Sequence, residues 1–158
     1  INNLLARAIA WLTLIMVLVT CIIVVARYVL NLGSIGLQES VMYMHGAVFM
    51  LGIAYTFKEG GHVRVDVIYE KLSHRQRVLI DLFAHCVFLL PVAGFILISS
   101  LDYVQFSWSL TESSGQPGGL PGVYLLKTLI PIMALLLIAQ GIAEIIRGLS
   151  YLTQQNHD

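Results

Sequence analysis

Residues 8–26 read AIAWLTLIMVLVTCIIVVA, about 19 residues without one charged side chain. A helix rises about 1.5 Å per residue and the hydrocarbon core of a bilayer is about 30 Å thick, so this run alone is long enough to cross it. It is too long for the apolar region of a signal peptide, and no convincing cleavage site follows. It reads as a retained transmembrane helix. The chain opens at Ile1 rather than Met, so further residues are expected before it.

Three more apolar runs follow. Val41 to Phe57 is slightly short and extends outward through Ser40 and Glu39. Val78 to Leu101 is interrupted by Asp81 and Pro91, and Val123 to Ile146 holds Lys127, Pro131 and Glu144. The last two are long enough to imply tilt or projecting ends. Proline is tolerable in both, because neighbouring helices can satisfy the freed carbonyls. The expected fold is an all-α integral membrane protein, a single membrane domain over residues 1–158. Its four transmembrane helices are expected near 8–26, 39–57, 78–101 and 123–146.

Composition agrees. The 158 residues are 58% hydrophobic and 11% charged, whereas a soluble domain carries roughly 25% charge. Zero net charge gives no bulk attraction to nucleic acid; the surroundings implied are a lipid bilayer. Cys21 and Cys86 both lie in apolar runs and read as buried free thiols rather than a disulfide framework.

Basic residues set the expected orientation. Lys58, Arg64, Lys71, Arg75 and Arg77 share the second connection; Arg7 and Arg147 flank the first and last helices. On the opposite side stands Arg27 alone, Lys127 being uncounted inside its run. The basic side should be cytoplasmic, which puts both termini inside. Residues 102–122 then lie outside, and their Gly115, Pro117, Gly118, Gly119, Pro121 and Gly122 predict compact turns. In the second connection, Asp66 suits the cap of a short amphipathic helix through Leu72, lying in the interface. Ser73 with Gln76 forms a capping-box pattern that opens the third helix.

Ionisable groups inside a membrane are the places to look for chemistry. His45 and His85 would suit a haem only at equal depth, and their positions in the runs put them more than about 10 Å apart. Each is instead expected to hydrogen-bond a neighbouring helix. Glu144 and Arg147, three apart, predict a local ion pair. Lys127 should snorkel, or meet Glu39 or Asp102 at its level. No nucleophile–base pair, metal-ligand cluster or phosphate loop is apparent, so no catalytic, cofactor or metal residues are assigned and an enzyme is not expected. Glu112, Ser113 and Ser114 have no histidine nearby in the loop. A self-sufficient transporter would show broken helices or midplane charge in repeated halves, and the midsections of all four runs are apolar.

The order of residues resembles one family. Arg27-Tyr28 closes the first helix, and Glu39 with Tyr43 opens the second. Gly61-His62-Val63-Arg64-Val65-Asp66 follows, then Gly119-Leu120-Pro121, then Lys127 and Pro131. Over about Ala8 to Gly148 this resembles the small membrane subunit, or Q subunit, of tripartite ATP-independent periplasmic (TRAP) transporters. The resemblance implies a bacterial inner-membrane scaffold that carries no substrate itself. It implies two partners, a large M subunit that holds the sodium and substrate sites and moves as an elevator, and a periplasmic substrate-binding protein that delivers a carboxylate-bearing organic acid. Arg27, Glu39, His62, Arg64, Asp66 and Lys127 become the candidates for structural or partner contacts. The competing reading is a membrane anchor for a redox enzyme, with haem as its cofactor.

Overall fold

The computed structural model describes residues 2–58 and 72–155. They form four long helices: α1 (Asn2–Tyr28), α2 (Ile35–Lys58), α3 (His74–Ser109) and α4 (Val123–Gln155). All four are long and apolar enough to cross a membrane. His62, Arg64 and Asp66 lie outside the described residues, as does the expected amphipathic helix apart from Leu72.

Local sequence explains where each helix begins and stops. Ser34 accepts the Leu37 N–H at 3.3 Å and starts α2. At α3 the capping box is complete: the Gln76 N–H reaches the Ser73 hydroxyl, and the Gln76 side chain receives the Ser73 N–H at 2.9 Å. α3 runs to Ser109, two turns past the apolar run, so residues 102–109 are helical rather than loop. It ends when Thr111 takes the left-handed conformation, φ 44°. The Glu112 N–H then bonds Ser107 O at 3.0 Å and the Thr111 N–H bonds Trp108 O at 3.1 Å. This is a Schellman closure with threonine where glycine is usual.

One turn of α3, His85–Leu89, is π-helical, and the Leu90 N–H reaches back to His85 O. Pro91 follows directly. Its ring would crowd the Val87 carbonyl in a regular α-turn and it has no N–H to give, and widening the preceding turn relieves both. Pro131 in α4 produces no such change.

The helices stand in an open row in which α1 and α2 run antiparallel, α2 and α4 parallel, and α4 and α3 antiparallel. α1 packs on α2, α2 on α4, and α4 on α3; no other pair of long helices makes an extensive contact. A row has no enclosed interior, so buried side chains are few. They gather on the α3–α4 seam: Ala93, Ser100, Val104 and Ser107 of α3, with Ala134, Leu137 and Gln140 of α4. Small residues let the backbones approach, which is how helices associate where water supplies no hydrophobic drive. Leu89 and Leu90 lie against Gly141, and Leu82 against Gly148. Gly46 of α2 similarly receives Leu126 of α4.

Candidate functional site

The polar groups collect at the ends of the row. At the end carrying residues 110–122, two carboxylates tie that loop to the helices. Glu39 of α2 accepts the Ser114 hydroxyl on one oxygen and the Leu120 N–H at 2.7 Å on the other. Ser114 and Leu120 also bond each other, Ser114 N–H to Leu120 O at 3.1 Å, closing the neck of the loop. Within that neck the Gly119 N–H meets Gln116 O at 3.0 Å, and Gly118 turns left-handed at φ 76°. Glu39 therefore grips the neck of the α3–α4 loop and fastens α2 to it. The fit is close: a Cβ on Gly119 would lie 2.8 Å from the Glu39 carboxylate, and one on Gly36 would lie 3.2 Å from Gly118 O.

Glu112 is the second carboxylate. It accepts Lys127 Nζ at 2.5 Å and the Ser107 hydroxyl at 2.6 Å. Lys127 also stands over the Tyr103 ring, 4.1 Å from its centroid. The hydrogen bond from Lys127 and then that from Ser107 hold the Glu112 carboxyl below the usual glutamate range. Nearby the Trp108 indole N–H donates to the Thr128 hydroxyl at 2.9 Å, and its ring meets Tyr124 edge-on.

This corrects the expected partner of Lys127. It is Glu112, not Glu39 or Asp102. α3 continues past its apolar run and then reverses through Thr111, which brings Glu112 back over Ser107 and toward α4. The missed signal was a lysine within an apolar helix, which needs an anion, beside a loop acid only a short reversal away. Glu39 and its loop partners Ser114 and Leu120 were likewise not paired by spacing.

At the opposite end the Glu144–Arg147 pair forms at 2.7 Å, as expected, and Gln140 adds a bond to Glu144 at 2.8 Å. His74 stacks on Tyr151 and joins α3 to α4. Arg27 lies in the last turn of α1, where a cation suits the helix dipole. It has no carboxylate partner among the described residues.

The histidines differ from expectation. His45 stacks on Phe49 of its own helix, and His85 packs edge-on against Phe57 of α2 with its Nδ1 buried and unbonded among the described residues. Neither makes the expected interhelical hydrogen bond to a described residue. Since His85 sits at the level of Phe57, twelve positions along α2 from His45, the two lie about 18 Å apart in depth. One haem cannot bridge that distance, so the redox-anchor reading finds no support in their placement.

Four spanning helices with polar clusters at their ends define a multi-pass membrane protein. Over residues 16–150 the chain matches the family described as "Tripartite ATP-independent periplasmic transporters, DctQ component". The chain belongs to that family and is the small membrane component of a TRAP transporter. No curated protein matches it.

Proposed function

We propose that this chain is the fixed scaffold of its transporter. It packs against a large membrane subunit that carries the sodium and substrate sites and moves as an elevator. A periplasmic protein delivers the substrate, a carboxylate-bearing organic acid, and uptake is a sodium symport across the bacterial inner membrane. Both termini are cytoplasmic and residues 110–122 periplasmic, on the seven-to-one asymmetry of basic residues. The chain itself catalyses nothing.

The observation that carries this reading is the commitment of Lys127. A carboxylate leaving water needs a cation or several donors, because an unpaired charge in an apolar site is very costly. Lys127 is the one cation well inside an apolar run, and Glu112 already neutralises it. What remains is an open row of helices fastened at its periplasmic end, a shape suited to resisting drag from a moving neighbour. Proteoliposomes with and without this chain, at equal amounts of the large subunit and the binding protein, test the proposal. Uptake should vanish without the chain, and undiminished uptake would refute a scaffold that the transporter needs.

A further inference from the structure

The seam between α1 and α2 holds polar groups that the chain's own fold leaves unpaired. A groove of about 480 Å³ lies along its half nearest residues 110–122, with Val17, Cys21, Gln38, Met42 and His45 in its walls. Gln38 and His45 are seven apart, so they share a face of α2, with His45 about 10 Å further along the axis. Gln38 neighbours Glu39 and marks the level of the loop; His45 therefore lies well within the apolar depth. Both side chains are exposed. Neither makes a side-chain hydrogen bond to a described residue, and the one ring contact of His45 is with Phe49.

Three hydroxyls within the apolar runs are satisfied at home. Thr13 donates to Ile9 O at 2.9 Å, Thr20 to Met16 O at 2.8 Å, and Ser99 to Phe95 O at 2.7 Å. A hydroxyl can turn back to its own helix in this way. The His45 ring points outward and does not. Hydrocarbon tails offer it no partner, and an unpaired polar group there is costly. A second groove of about 660 Å³, walled by Ile9, Val48, Phe49, Gly52 and Thr56, continues the seam toward the other end of the row. The α2 positions 38, 42, 45, 49, 52 and 56 recur at three- and four-residue intervals, so the two grooves follow one stripe. Its length is that of a helix rather than of a headgroup.

The geometry points to this seam as the docking face for a transmembrane helix of the large subunit, one presenting a hydrogen-bonding side chain opposite His45. The inference rests on the proposed scaffold role. His45 supplies the polar contact that fixes the partner's register, and the apolar walls supply area. An exposed His45 contributes little to this chain's own folding, so its substitution should act on the complex.

The test uses full-length chain co-expressed with the large subunit and purified in mild detergent. Benzoylphenylalanine replacing His45 should, on irradiation, give an adduct of the mass of both subunits. His45→Leu should lower the co-purified fraction several-fold, and His45→Gln should retain most of it. An adduct only with lipid, only with a second copy of this chain, or with nothing, while the unaltered chains co-purify, overturns the docking face and spares the scaffold reading. Failure of the unaltered chains to co-purify defeats the scaffold reading itself.

Discussion

Glu112 concentrates the chemistry of the α3–α4 loop on one side chain. Lys127 and Ser107 both donate to it, and it sits three residues beyond the helix end that positions it. Because these bonds favour the ionised form, its carboxyl titrates lower in the folded chain than in the unfolded one. Between those two values the unfolded chain binds more protons, so stability rises with pH there. The contribution is complete above the ordinary glutamate value of 4.5 and is lost as pH falls below it. Thermal melting of the detergent-solubilised protein should therefore fall on acidification below that value. Glu112→Gln should melt lower at neutral pH and lose less on acidification. Parallel acid profiles for the two proteins would show that Glu112 is not a source of acid sensitivity.

At the scale of elements, stability resides in close approaches along seams, and glycines report them. A Cβ on Gly141 would come within 2.7 Å of the Leu89 side chain and 3.4 Å of Leu90, whereas one on Gly94 of α3 would meet nothing within 4 Å. Gly141→Val should cost about 1–3 kcal/mol by overpacking. Gly94→Ala should be neutral or stabilising, by up to about 1 kcal/mol, since it removes glycine's excess backbone freedom. Melting of the two variants checks this, and a Gly141→Val as stable as the parent would mean that Leu89 and Leu90 do not close-pack on Gly141. Much of this level was legible beforehand. An uncharged run such as Ala8 to Ala26 has one stable conformation in lipid, and Ser73 with Gln76 marks a helix start by chemistry local to four residues. The length of α3 was not legible, because Asp102, Gln105 and Ser107 break the apolar pattern while leaving the helix intact beyond the hydrocarbon. The Glu39–Ser114 and Lys127–Glu112 contacts were not legible either. They join residues 75 and 15 positions apart, and spacing is informative only within a single element.

The whole molecule is a row of helices fastened at both ends and largely uncovered between them. The asymmetry of basic residues predicts its orientation. In intact cells an impermeant thiol reagent should label Ser113→Cys and leave Ser73→Cys untouched; the reverse pattern would invert the topology. The central claim is that the chain is necessary for uptake yet gives no side chain to the substrate site. A remote scaffold changes how many transporters work or how fast, not how differently they hold the substrate. The most direct measurement is the concentration dependence of uptake in proteoliposomes holding all three components, comparing the unaltered chain with Lys127→Ala and His85→Ala. The account predicts a lower maximum rate or less assembled complex, with the half-saturating concentration nearly unchanged. A large shift in that concentration, differing between substrates and with the complex intact, would place the transport site on this chain and contradict it.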